Sequence, residues 1–101
     1  PPLTDEDVTR ALSRLRQWSG DHRSITRTIW LPPDNLDRVL RRLADLKQEL
    51  GRAPRISRDG DGSATLTVRT ASVDAVTASD IDLAQRIDDV IEEAAAGMNA
   101  G

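Results

Sequence analysis

The sequence has 101 residues, of which 38% are hydrophobic and 31% are charged, with 14 Lys and Arg against 17 Asp and Glu. This length suits one compact domain with a thin core, and the composition excludes wholesale disorder and contains no apolar run long enough to span a bilayer. The net charge of −3 and the aromatic content of 2% disfavour nucleic-acid binding, and the lack of cysteine excludes disulfides, thiol catalysis and thiolate metal sites.

The chain opens on two prolines without a methionine, so we expect a few native residues to precede it. No signal-peptide pattern precedes Leu3, and we expect a cytoplasmic protein. The segment from Thr4 to Asp7 has the form of a capping box, which predicts the start of a helix. Apolar residues then follow at helical spacing as far as Trp18, namely Val8, Ala11, Leu12, Leu15 and Trp18.

A turn is predicted at 19–22 and a long strand at 23–31, because apolar and polar side chains alternate along the second segment. Arg27 lies in phase with the isoleucines of this strand, and Trp30 lies on the other side. Trp30 is therefore expected on a different face of the sheet from the core.

Two consecutive prolines end this strand and open a second helix. Gly51 is a natural residue for the end of that helix, whose apolar stripe consists of Leu36, Val39, Leu40, Leu43, Leu46 and Leu50. Short strands are predicted at 54–57 and 64–70, and a hairpin turn at 58–62 joins them.

A second capping-box pattern, from Thr77 to Asp80, predicts the third helix, with its apolar stripe at Leu83, Ala84, Ile87, Val90, Ile91 and Ala94. With a short partner strand that begins at Trp18, the elements together predict an α+β fold of order α-β-β-α-β-β-α, with three helices on one face of an antiparallel sheet of about four strands. We expect a single domain over 1–101, with its core in 3–91 and a frayed tail at 94–101.

The other face of such a sheet lacks a cover, and a domain of this size gains apolar burial from a second copy. We therefore expect a homodimer or a homotetramer. Trp18 is predicted to pack in the core, whereas Trp30 is the candidate interface residue.

Several segments occur in an order and spacing that resemble the pterin-4a-carbinolamine dehydratase family, over roughly residues 3–91. They are Leu3-Thr4, Leu15 with Trp18, Ile25-Thr26-Arg27, Gly51-Arg52-Ala53-Pro54, Thr70-Ala71, and Val76 to Asp80 followed by Leu83-Ala84 and Ile87-Asp88. The resemblance implies the family's fold and a lyase that dehydrates a 4a-hydroxytetrahydropterin. It also implies two adjacent histidines before a proline, and a third histidine after a threonine.

The sequence departs from the family at all three histidines. Arg52 and Ala53 stand where the adjacent pair is expected, followed by the matching Pro54, and Ala71 stands at the third position. Loss of water from a carbinolamine needs a group that moves a proton near neutral pH, which imidazole does and a guanidinium or a methyl group does not. We therefore predict no catalytic residue and no cofactor.

Two classes of function fit these features. The first is a catalytically inactive or repurposed dehydratase-like protein, a pseudoenzyme that acts as a homo-oligomeric interaction or assembly module. The resemblance adds precedent, since similar proteins serve as dimerisation cofactors of transcription factors and some divergent ones resemble assembly chaperones of the carbon-fixing enzyme. The alternative is an enzyme with residual 4a-hydroxytetrahydropterin dehydratase activity or altered small-molecule chemistry in the same pocket.

Three arginines could convert the emptied pocket into a binding site. Arg52 and Arg55 lie in the segment that resembles the active-site wall, and Arg69 precedes the third histidine position. Solvated strand-end arginines are the simpler interpretation. The sharper hypothesis is a site for a small anion or a carboxylate near Ala71, because guanidinium binds planar anions bidentately. Such a site should prefer a carboxylate or a phosphate over a neutral pterin, and a pterin-like ligand is the other candidate.

The other candidate residues have structural explanations. His22 is the only histidine and has no partner for a metal site, so we predict a surface residue and no metal. The Asp-Gly-Asp-Gly segment at 59–62 lacks the ligand spacing of a calcium loop and predicts a hairpin turn. Asp80 resembles the family's late aspartate, and its place in the capping box is sufficient to explain it.

Overall fold

Three helices pack against one face of an antiparallel sheet, as the sequence predicts. The computed structural model describes the backbone of residues 1–99 and the side chains of residues 1–96. In this part of the chain the helices are α1 (Asp5–Arg14), α2 (Pro33–Leu50) and α3 (Ala78–Asn99), and the strands are β1 (Ser19–Gly20), β2 (Ile25–Trp30), β3 (Arg55–Arg58) and β4 (Ser63–Val68). The sheet order β1-β2-β4-β3 places β2 and β4 in the centre, so β3 is an edge strand. Of the predicted tail, residues 94–99 belong to α3, and residues 100–101 lie outside the described part.

The predicted capping box begins α1. The Thr4 hydroxyl accepts from the amide of Asp7 at 3.1 Å, and the Asp7 carboxylate accepts from the amide of Thr4 at 3.4 Å. The helix ends at Arg14, four residues before the predicted end at Trp18. Trp18 is still buried, and β1, the expected short partner strand of β2, follows it directly and occupies part of the predicted turn. The apolar stripe therefore predicted the burial of Trp18 correctly and the length of α1 wrongly.

Gly51 ends α2 as predicted. Its φ of 71° lies in the left-handed region that favours glycine, and its amide donates to the carbonyl of Lys47 at 2.9 Å. The predicted stripe is buried over most of its length, but Leu50 is exposed. As the last residue of the helix, Leu50 lines a surface pocket rather than the core.

The sheet has one buried face and one open face. On the buried face, isoleucines of β2 and apolar residues of β4 pack against the helices, namely Ile25, Ile29, Ala64, Leu66 and Val68. The side chains between them alternate to the other face, where Trp30 is 66% exposed and Thr28 lies beside Thr65 with their hydroxyl oxygens 3.2 Å apart. Among the described residues, no helix has the length and apolar character needed to cross a membrane.

Candidate functional site

A cluster of polar side chains forms where α2 ends, β4 ends and α3 begins. Arg52 follows the glycine that terminates α2, Thr70 lies two residues beyond β4, and Asp80 is the third residue of α3. The chain between β4 and α3 is held as a short turn, with a single 3-10 turn at Ala71–Val73 and a bridge between Thr70 and Ala75. Three separate parts of the sequence therefore meet at one carboxylate.

The carboxylate of Asp80 is completely buried, with 0% exposure. Its Oδ2 accepts from the Thr70 hydroxyl at 2.8 Å, from the Thr77 amide at 2.9 Å and from the Thr77 hydroxyl at 3.2 Å. Its Oδ1 accepts from Nη2 of Arg52, which also donates to the Thr70 hydroxyl at 3.0 Å. A buried carboxylate needs this many donors, because burial removes the hydration that stabilises its charge.

Two surface pockets meet at this cluster. One, of about 460 Å³, lies between the end of α2 and the first turns of α3, and its wall includes Leu50 and Arg86. The other, of about 620 Å³, lies over the β4–α3 connection and includes Thr70 and Thr77. Arg52 belongs to the walls of both pockets.

Comparison with known proteins assigns the chain to a family. The model of the pterin 4 alpha carbinolamine dehydratase family matches residues 1–90. The chain belongs to this family. Among solved structures it is similar to a protein described as a transcriptional coactivator/pterin dehydratase from Brucella melitensis, with a TM-score of 0.82, 21% identity, and coverage of 90% of this chain and 99% of that chain. At this identity the likeness shows a shared fold. No curated protein matches the chain.

The four positions that resemble the dehydratase histidine motifs lie close to this cluster. Arg52 takes part in it, Ala53 is exposed, and Pro54 is buried immediately before β3. Ala71 is exposed and opens the 3-10 turn directly after Thr70, whose hydroxyl Arg52 contacts. The segments of the two motifs are therefore neighbours in the fold, and they carry no imidazole.

The three arginines considered as an anion site have different settings. Arg52 is paired with Asp80, and Arg69 is paired with Asp74 on the far side of the 3-10 turn. Arg55 is exposed on edge strand β3 opposite Thr67, and it forms no ion pair within the part of the chain that the structure describes. The positive charge of Arg52 is thus neutralised by a buried partner.

Two further candidates lie away from the cluster. His22 is exposed, and its Nδ1 lies 2.7 Å from Oδ1 of Asp5 in the first turn of α1. In the hairpin turn, the Ser63 hydroxyl lies 2.5 Å from Asp61 and, with the Ser63 amide at 3.0 Å, holds the pKa of Asp61 below its ordinary value. No group of three or more His, Asp or Glu among the described residues could hold a metal ion.

A second ion pair, which is partly buried, was not predicted. Nη1 of Arg27 lies 2.6 Å from Oδ1 of Asp88, which also accepts from Nε1 of Trp18 at 2.8 Å. Asp88 lies on α3 and Arg27 on the helix-facing side of β2, so the pair joins the sheet to the helix. The sequence did contain an indication of this pair, because an arginine in phase with the core isoleucines needs a partner for its charge.

Proposed function

We propose that this chain is a non-catalytic member of the pterin dehydratase family, and that it acts as a homo-oligomeric protein-interaction module. The observation that carries the proposal is the ion pair between Arg52 and Asp80 at the former histidine position. A guanidinium does not give up its proton in proteins, so Arg52 cannot act as a general base. Its ion pair with a buried carboxylate also holds the side chain in place, so that it cannot move with a substrate.

The remaining groups near the pockets do not replace the missing imidazoles. The hydroxyls of Thr70 and Thr77 both donate to the carboxylate of Asp80, which also accepts from Arg52, so these groups are bonded to one another rather than free to exchange a proton with a substrate. His22, the only histidine in the sequence, contacts Asp5 in α1 instead. These features favour loss of the dehydration chemistry over its transfer to other residues.

The interaction role is supported by the open face of the sheet. Trp30 is 66% exposed there, and the neighbouring positions on β2 and β4 carry hydroxyl side chains, with the carboxylates of Asp59 and Asp61 at the hairpin end of this face. Aromatic residues are enriched in protein interfaces, and charged residues are depleted at their centres. The similar protein from Brucella melitensis is described as both a coactivator and a dehydratase, and a chain that has lost the second role could keep an interaction role.

A dehydratase assay tests the loss of catalysis. We expect turnover of a 4a-hydroxytetrahydropterin little above the uncatalysed rate, because general acid–base catalysis supplies about 10²–10⁴ in rate and its groups are missing. The triple variant Arg52→His, Ala53→His, Ala71→His should gain activity, since it returns an imidazole to each position. The matched control, Arg55→His, adds a histidine outside the cluster and should gain none. Turnover by the unaltered chain at the rate of a histidine-bearing relative would refute the proposal and favour residual dehydratase activity.

A further inference from the structure

Asp80 is bonded unequally at its two oxygens. The three donors to Oδ2 come from Thr70 and Thr77, in the connection that leads into α3. Among the described residues, the donor to Oδ1 is Arg52 alone. The first set belongs to the framework of the site, whereas the last donor is one long side chain that reaches in from the end of α2. Oδ1 is therefore the position at which a different donor could bind.

Arg52 fills this position imperfectly. Both of its hydrogen bonds use the same nitrogen, Nη2, while Nη1 is buried without a hydrogen-bond partner within the described residues. A buried N–H group without a partner costs free energy, and guanidinium groups pair best when two nitrogens donate in parallel. The side chain thus occupies the site without using its full bonding capacity.

The same side chain separates the two pockets. Among the described residues, their walls share Arg52 and Ser79, and Arg52 is the one whose long side chain reaches Asp80. Truncating Arg52 at Cβ would connect the pockets and open a path to Oδ1. The space freed would have the flat shape of a guanidinium, with a carboxylate and a threonine hydroxyl at its inner end.

We propose that Asp80 and Thr70 form the floor of a binding site for a planar, guanidine-like group, and that Arg52 occupies this site in cis. The proposal deepens the proposed function and rests on it, because a filled pocket accounts for a family member without chemistry. Two ligands share the required arrangement of N–H donors around one carbon: the guanidinium ion, and the 2-amino pyrimidinone edge of a pterin. A free ligand must compete with a side chain whose effective concentration is in the millimolar range or above.

Thermal unfolding of Arg52→Ala with guanidinium chloride as the probe tests the site. The variant should unfold roughly 10 °C or more below the unaltered chain, because its buried carboxylate loses a charged partner. About 20 mM guanidinium, too dilute to denature, should then raise the Tm of the variant by about 5 °C relative to the same concentration of NaCl. The unaltered chain should show no such rise. If Arg52→Ala does not fold alone, it should refold from urea only when guanidinium is present.

The double variant Arg52→Ala, Asp80→Asn is the matched control. It lacks the buried charge, so guanidinium should not raise its Tm. An Arg52→Ala protein that responds to guanidinium no more than this control, or that stays unfolded in its presence, overturns the proposal. Calorimetric titration of Arg52→Ala and of the unaltered chain with a reduced pterin identifies the source of the ligand. Binding to the variant and not to the unaltered chain supports the pterin edge, and binding to neither protein leaves the cation as the ligand. Equal binding to both proteins overturns the blocking role of Arg52. Turnover requires the substrate to bind, so dehydratase turnover by the unaltered chain would refute the proposed function and the blocking role of Arg52, whereas the guanidinium response of Arg52→Ala tests the site at Asp80 separately.

Discussion

Two carboxylates of α3 are withdrawn from solvent, Asp80 completely and Asp88 in part, and each is satisfied by an arginine together with neutral donors. Asp80 binds Arg52 and the two threonines of its cluster, and Asp88 binds Arg27 and Trp18. Burying a charge is unfavourable unless several donors replace its hydration. Both pairs also fix α3, one to the end of α2 and the other to the sheet. The two ion pairs therefore determine the position of α3 as well as contributing to stability.

Asp61 is a carboxylate of the opposite kind, exposed at the hairpin turn. Because the Ser63 hydroxyl lowers the pKa of Asp61, Ser63→Ala should raise that pKa towards its ordinary value. A lowered pKa in the folded state means that the ionised form stabilises the fold above the unfolded-state pKa, and that this contribution is lost as the pH falls through the folded-state pKa. Titration of the side-chain carboxyl by NMR measures the change.

Asp21 is the internal control for that titration. The pKa of Asp21 is also lowered, by the amide of Arg23 rather than by Ser63. It should not change in Ser63→Ala. Identical titration of Asp61 in the two proteins would show that the hydroxyl is not the cause.

At the level of elements, the sequence predicted local structure well where local chemistry determines it. The capping box at Thr4 and the left-handed Gly51 depend on neighbours within four residues, and both are confirmed. The predicted end of α1 was wrong because Trp18 lies beyond the helix and is buried in the core, where its Nε1 donates to Asp88 of α3, a contact that periodicity along one segment does not reveal. The exposure of Leu50 was missed for a similar reason, since nothing within its own helix indicates a pocket.

Gly20 in β1 is required by geometry that the sequence alone does not reveal. Its φ is 137°, and a Cβ there would lie 2.2 Å from the carbonyl oxygen of Ser24. Gly20→Ala should cost about 2–3 kcal/mol and lower the Tm by roughly 10 °C or more, because both the backbone and this contact would be strained.

Gly60 in the hairpin turn is the matched control. A Cβ at Gly60 would meet no atom within 4 Å, so Gly60→Ala should change stability by less than about 0.5 kcal/mol. Thermal unfolding followed by circular dichroism compares the two variants. Equal Tm values would contradict the requirement for glycine at position 20.

At the level of the whole molecule, the order of elements was predictable and the composition of the site was predictable only in part. The resemblance located Arg52, Ala53, Pro54 and Ala71, but the partner of Arg52 is 28 residues away in the sequence. In the sequence, the capping box was sufficient to explain Asp80, so nothing indicated that its carboxylate is buried. Pairing across that distance is a product of packing, which local patterns do not encode.

The open face and the edge of the sheet lead to the last prediction, self-association. Sedimentation at micromolar concentration should give a dimer or a tetramer, because one face of the sheet carries an exposed tryptophan and β3 is exposed along its whole length. Trp30→Ser should weaken a contact through the face, and Ile56→Lys should weaken pairing through edge strand β3, so the two variants separate the two geometries. Val73→Ser, which removes an exposed apolar residue outside the sheet, should leave the assembly unchanged. A single species of 11.1 kDa would contradict the homo-oligomer and leave the interaction role to a different partner protein.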